Sequence, residues 1–342
     1  MNKQQRNDGL KSQLYISVKA PARLHLGFLD LHGGLGRSFG SLGLCLSDIY
    51  THITAASSDD VIIHGPSSNR ASLFAGRMLE YLNIRQGAEI TIHECIPEHA
   101  GLGSGTQLSL AVGTAITKLY NKFTSTREIA YVMERGARSG IGVGAFSTGG
   151  FLVDGGRGEH TGVPPIISHI HFPESWRILL VFDHAMDGIN GETERQFFQH
   201  LPQMNECTIE RLCRITLMQL LPALAEEDCE QFGAAITEIQ QQVGDHFSIA
   251  QGGRFCSQLV SGALSWLMEQ GATGVGQSSW GPTGFAIFAN ETQAYQALKK
   301  IRNDWKNEER LTFKVCKARN EKAEIKVGER STMKNASFKN II

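Results

Sequence analysis

The sequence carries no C-x-x-C pair, no apolar run long enough to cross a bilayer and almost no net charge, and each absence removes a class of function. Its seven cysteines (Cys45, Cys95, Cys207, Cys213, Cys229, Cys256 and Cys316) are scattered and odd in number. Such cysteines suit a reduced compartment, each thiol a small apolar filler, and exclude a disulfide scaffold. Lys+Arg total 33 against Asp+Glu 34, a formal charge of −1, which leaves no global field to hold a nucleic acid or an anionic membrane. Met1 to Leu10 is polar and has no apolar h-region, and the strongest apolar run, Ile178 to Phe182, is far too short to span a membrane. The twelve histidines and seven cysteines never fall into zinc-ligand spacing. No internal repeat is visible. The expectation is a cytoplasmic protein with neither a nucleic acid nor a membrane as partner.

What is present is a chain of 342 residues, 41% hydrophobic and 20% charged, long enough for two domains with ample core. Residues 15–20 alternate like a half-buried strand and are expected to stop at Pro21. A Gly-rich stretch follows, from Gly27 to Gly43, and then short strands at 49–55 and 60–64. Helical spacing appears over 70–83, strand alternation over 88–95, and an amphipathic repeat from Leu108 to Leu119. Ser125 to Ala137 opens with a capping pattern, Ser125 and Glu128, and ends in a glycine cluster at 139–144. Gly162, Pro164, Pro165 and Pro173 mark a boundary, dividing the chain into domains 1–165 and 166–326 and a flexible tail, 327–342. The second half reads as a buried strand at 176–182, helices near 191–200, 206–221, 226–243 and 253–270, a hairpin over 273–289, a helix at 292–305 and a strand at 311–317.

Three clusters could carry chemistry. In the first, Pro97-Glu98-His99-Ala100-Gly101-Leu102-Gly103-Ser104-Gly105-Thr106 joins a strand to a helix. Its glycines permit close backbone approach, and the free amides and positive end of the helix suit an anion. No Gly-Lys-Ser/Thr follows, so it is not a Walker A loop; on the residues alone, phosphate cradle and plain turn weigh about equally. In the second, Arg23 and His25 alternate along Pro21 to Asp30, where a guanidinium could grip a carboxylate or phosphate and an imidazole could move a proton; a hydrogen-bonded structural histidine is the commoner use. The third, Gly276 to Gly284, places Ser278, Ser279 and Trp280 at a strand-to-strand crossing, as a ring-stacking surface or simply a hairpin turn. The acidic stretch from Asp183 to Glu194 offers helix caps or Mg²⁺ ligands.

Together these segments resemble the GHMP kinase superfamily, whose phosphate motif P-x-x-x-G-L-G-S-S is similar to Pro97 to Thr106. More narrowly, Pro21 to Leu31, Ser139 to Phe146 with Gly149 to Gly156, and Gly276 to Thr283 look like its β-ribofuranosylaminobenzene 5′-phosphate synthase branch, over residues 14 to 318. The resemblance implies an α+β, two-domain fold, a ribosomal-S5-domain-2-like unit followed by a ferredoxin-like one, with the site between them. It implies transfer of the phosphoribosyl group of 5-phosphoribosyl 1-diphosphate to 4-aminobenzoate, with loss of CO₂ and diphosphate, in methanopterin biosynthesis. Mg²⁺ is expected and ATP is not. Gly142 stands where the kinases usually carry an Asp. The implied phosphate loop is Gly101, Leu102, Gly103, Ser104, Gly105 and Thr106. Arg23, His25, Asp30 and Asp154 are the catalytic candidates; Ser139, Gly140, Gly142, Ser278, Ser279 and Trp280 would bind substrate, and Ser104, Glu134 and Glu192 the metal. A homodimer is compatible with the family. Two rival readings stand beside this one: an ATP-dependent GHMP kinase, and a non-catalytic nucleotide- or RNA-binding protein on an S5-like scaffold.

Overall fold

The computed structural model describes residues 12–186, 188, 196–198 and 200–331. Its frame is one long hairpin, β1 (Ser12–Asp30) against β2 (Arg37–Ser58). The strand does not stop at Pro21 but runs through it, because the ladder breaks there. The partner jumps from Tyr50 opposite Pro21 to Cys45 opposite Arg23, and a second shift falls between His25 and Gly27. Proline has no N–H to give a ladder, so an irregularity is where a strand tolerates it. Arg23 and His25 lie between the two breaks, where bulged backbone re-aims side chains. The Gly-rich stretch from 27 to 43 is thus the far end of this hairpin.

The rest of the first sheet is assembled on β2. β3 (Ile62–His64) and β4 (Gly87–Glu94) extend one side, β5 (Phe151–Asp154) and β6 (Arg157–Gly158) pair with β2 itself, and β7 (Ile166–Ile170) pairs with β5. Residues 166–170, assigned from the sequence to the second domain, therefore belong to the first sheet. β12 (Glu324–Ser331) returns to pair antiparallel with β1, from Ser12↔Ser331 to Lys19↔Glu324. The expected tail is consequently strand as far as Ser331, because alternation counts for less than the unpaired edge that β1 offers; residues 332–342 lie outside the described residues. Helices α1 (Ser68–Tyr81) and α2 (Ser104–Leu119) cover the sheet, burying Phe74, Met78, Leu108, Val112 and Ile116 against Ile16, Val18, Ile53 and Ile90.

The capping box predicted at Ser125 is present on α3 (Thr126–Val132). The helix ends five residues earlier than expected, because Glu134 and Gly136 adopt φ of 55° and 79°. The glycine cluster that follows is itself a helix, α4 (Ile141–Ser147), since glycine costs helix stability but lets helices touch.

The second domain is a four-stranded antiparallel sheet in the order β11 (Leu311–Cys316), β8 (Arg177–Asp183), β10 (Gly284–Phe288), β9 (Gly274–Gln277). The expected 273–289 hairpin is β9 and β10. β8 is buried on both faces: Ile178 and Leu180 join a core shared with β1, β2 and Phe232, while Leu179 and Val181 meet Val260, Leu264 and Phe288. Helix α5 (Glu206–Ile215) passes through a π-helical turn, 216–220, into α6 (Leu221–Ala225). The long α7 (Cys229–Gln251) packs on both domains, and α8 (Gln258–Glu269) and α9 (Glu291–Asp304) back the sheet. Of the helix expected over 191–200, residues 196–198 and 200 are helical and the others lie outside the described residues. Among the described residues no helix is long and apolar enough to cross a membrane.

Candidate active site

The Gly-rich loop is pinned from two directions before it reaches α2. Gly101 has φ +74°, and a Cβ placed on it would stand 2.2 Å from the carbonyl oxygen of Ser278; only glycine fits. The Ser278 hydroxyl donates to the Gly101 carbonyl (2.7 Å) and accepts from the His25 amide (3.0 Å). Arg23 donates from Nη1 to the same Gly101 carbonyl and from its amide to Leu102. Three segments far apart in sequence are thereby locked together at one point. The first intrahelical bond of α2 runs from Gln107 N–H to Gly103 O, so the amides of Ser104, Gly105 and Thr106 have no acceptor within the helix.

These amides open on a cavity of about 360 Å³ lined by Arg23, Arg70, Arg135, Ser104, Thr106 and Trp280. Arg70 is held by Glu98 (2.7 Å), whose carboxyl is kept below its ordinary range by the Ser67 hydroxyl and by Arg70. Arg135 lies over the Phe74 ring, 5.4 Å from its centroid. Burial, followed by the charges of Arg70 and Arg77, lowers its pKa. Three guanidiniums around a helix N-terminus make an anion site.

On the other side of Trp280 the chemistry changes. Trp280 is 3% exposed and packs against Phe247 (4.3 Å between centroids), Phe198 (5.6 Å) and Phe197 (6.0 Å, stacked). His25 joins this cluster through Phe28, 4.6 Å away. Burial and the nearby charges of Arg23 and Arg138 pull the pKa of His25 down to about 3, so it is neutral at working pH and no shuttle for protons near pH 7. The His25 Nε2 and Trp280 Nε1 atoms are buried without a partner among the described residues. Between them lies a gap of about 30 Å³, also reached by Gln240, Gln277 and Ser279, room for a water or two and not for a ring. A further groove of about 420 Å³ lies beyond the 97–100 segment and shares His99 with the arginine cavity.

The structure brings Arg23, Gly101, Gly103 to Thr106, Ser279 and Trp280 to the arginine cavity, with His25 and Ser278 directly behind and Leu102 turned into the core. It leaves the remaining candidates elsewhere. Asp30 spends its carboxylate on the β1–β2 turn, accepting from the amides of His32 and Gly33. Asp154 is fully buried; it accepts from the Gly140 and Gly156 amides and the Ser139 hydroxyl, while burial raises its pKa. Ser139, Gly140 and Asp154 thus tie α4 to β5. At Gly142 a Cβ would come 2.9 Å from Thr106 Cγ2, and its carbonyl accepts from Gln107, so this glycine lets α4 press on the first turn of α2. Glu134 points outward, 77% exposed, paired with Arg77. Glu192 lies outside the described residues. Among the described residues no group of three His, Cys, Asp or Glu could hold a metal, and the arginine cavity is lined by cations; this donor set does not fit a protein-held Mg²⁺.

Arg70, Arg135, Phe198 and Phe247 escape a reading of the sequence. Arg70 and Arg135 sit on a helix face and in a connection where charged residues are ordinary, and Phe198 and Phe247 look like core.

Two family models, GHMP kinases N terminal domain and GHMP kinases C terminal, match residues 69–150 and 220–307. A beta-ribofuranosylphenol 5'-phosphate synthase of Archaeoglobus fulgidus is 34% identical over 328 residues, 91% of this chain and all of the relative. One of Methanothermobacter thermautotrophicus is 31% identical over 80% of this chain and 88% of the relative. Among solved structures, Lactococcus lactis galactokinase complexed with galactose superposes with a TM-score of 0.68 at 14% identity, over 91% of this chain and 95% of that one. The chain belongs to the GHMP superfamily and, within it, to the beta-ribofuranosylphenol 5'-phosphate synthase family of enzymes.

Proposed function

We propose that the protein joins C1 of 5-phosphoribosyl 1-diphosphate to the ring carbon of 4-aminobenzoate that carries the carboxylate, releasing diphosphate and CO₂ without ATP. The observation that carries this reading is the sharing of Trp280 between a cavity ringed by Arg23, Arg70 and Arg135 and a cluster of aromatic side chains. The reaction needs a polyanion held beside an aromatic ring at bonding distance. In this reading the amides of 104–106 and the arginines hold the donor's phosphates. The ring enters from the cradle side and lies against Trp280, since the gap behind it is too small. His25, neutral, serves as a hydrogen-bonding neighbour. Any magnesium would come with the diphosphate and be held by it, not by the protein. The crowding of Thr106 against position 142, where a kinase carboxylate would stand, favours this reading over ATP-dependent phosphorylation.

A second reading differs in one atom. The relatives are named for a ribofuranosylphenol, which favours 4-hydroxybenzoate as acceptor; an amino group pushes electrons to the attacking carbon more strongly. The test is release of labelled CO₂ from carboxyl-labelled 4-aminobenzoate and, separately, 4-hydroxybenzoate, each with the phosphoribosyl donor, with and without ATP. Release that needs the donor but not ATP is expected, faster with the amine. Preference for the hydroxyl compound moves the acceptor assignment; no release from either, with ATP consumed on adding candidate alcohols, overturns the reading.

A further inference from the structure

Three guanidiniums line the phosphate cavity, and they are not equally engaged. Arg70 is paired with Glu98 and Arg23 donates to the carbonyl of Gly101. Arg135 differs: its Nε is buried and has no acceptor among the described residues. Its backbone is stationed by left-handed residues on both sides, Glu134 and Gly136 (φ 55° and 79°), and by a hydrogen bond its amide donates to the Ala130 carbonyl at 2.7 Å. The side chain is braced on the Phe74 ring. A Cβ built on Gly105 would lie 2.6 Å from Arg70 Nη2 and 3.7 Å from Arg135 Nη1, so both guanidiniums overhang the first turn of α2. This is a donor fixed in place and lacking an acceptor, which is what stabilising a charge that appears only during reaction requires.

We infer that Arg135, flanked by Arg70, receives the departing diphosphate, and so acts as a catalytic residue beyond the motif residues. The assignment rests on the proposed reaction. In that step the C1–O bond of the ribose breaks and its electron pair goes to the diphosphate oxygen. The ring's π electrons form the new C–C bond to C1, and the pair of the ring–carboxylate bond returns to the ring as CO₂ leaves. Negative charge therefore grows on the leaving oxygen, and the braced Arg135 guanidinium supplies a cation at that cavity wall.

The test compares Arg135→Gln and Arg135→Lys with the unaltered protein, using CO₂ release for kcat and KM and calorimetric binding of inorganic diphosphate and inorganic phosphate. Loss of one preorganised donor to developing charge lowers kcat on the order of 10²–10³-fold. Arg135→Gln is expected to show a loss in that range with the donor KM changed by only a few-fold, and to lose diphosphate binding selectively over phosphate. Arg135→Lys, which retains charge but not the fork, should recover part of kcat and keeps the test alive if the Gln variant misfolds. Unaltered kcat and diphosphate affinity in Arg135→Gln, in a protein that does release CO₂, overturns the role of Arg135 alone. A protein that binds diphosphate through Arg135 but releases no CO₂ overturns the reaction and with it the leaving-group role.

Discussion

The two sides of Trp280 are built on opposite principles. The cradle is backbone and cations: left-handed glycines, the amides of 104–106 and three guanidiniums. The aromatic side is packing: rings at 4.3 to 6.0 Å from the indole and a histidine that stays neutral down to about pH 3. Charge is concentrated around the first turn of α2 and withdrawn from the aromatic cluster behind the indole.

The sharpest way to break the comparison is at its hinge. Gly101→Ala forces a Cβ into the Ser278 carbonyl at φ +74°, separating the loop from both Arg23 and Ser278. The expected loss is at least about 3 kcal/mol of stability, read by urea denaturation, with diphosphate binding lost in the fraction that folds.

A smaller effect probes the neutral side. The folded His25 takes up a proton only near pH 3, whereas the unfolded chain's takes one up near 6.5. Between these values the unfolded state binds more protons, so the stability that this histidine contributes is full above pH 6.5 and falls as pH drops. Urea unfolding at pH 7 and pH 5 should show about 2 kcal/mol more loss in the unaltered protein than in His25→Gln. No inflection near pH 6.5 in kcat/KM should belong to His25; one that vanishes in the variant contradicts the neutral assignment.

The smallest effect tests what lies outside the site. Asp30→Ala opens the two turn hydrogen bonds to His32 and Gly33 and should cost about 1 kcal/mol, with kcat within two-fold of the original by the CO₂ assay. A large kcat loss would return Asp30 to the chemistry.

The contrast also explains what could be read from the sequence. Gly101 and Gly103 are legible because a left-handed turn before a helix admits few other residues. Ser278, Ser279 and Trp280 sit in the motif that announces them, and the capping box at Ser125 is a local pattern with a local cause. Arg135 was illegible because its place over the first turn of α2 depends on α3 stopping at Val132, a tertiary outcome. The aromatic cluster draws on residues 28, 198, 247 and 280, and nothing in their spacing says they meet. Asp30 and Asp154 misled for the converse reason: a carboxylate in a motif is identified by type, while its use as a turn closer or a buried tie is set by neighbours. The long reach of β1 past Pro21 was hidden because a break in the ladder leaves its mark on two strands at once.

The pairing of Glu324–Ser331 with the opening strand has a consequence for synthesis. During translation β1 emerges long before residues 324–331 and must wait through the synthesis of the second domain before its outer partner exists. The first domain is therefore left with an open edge until the second has been made, and truncation before residue 324 should yield a product whose edge seeks a strand elsewhere.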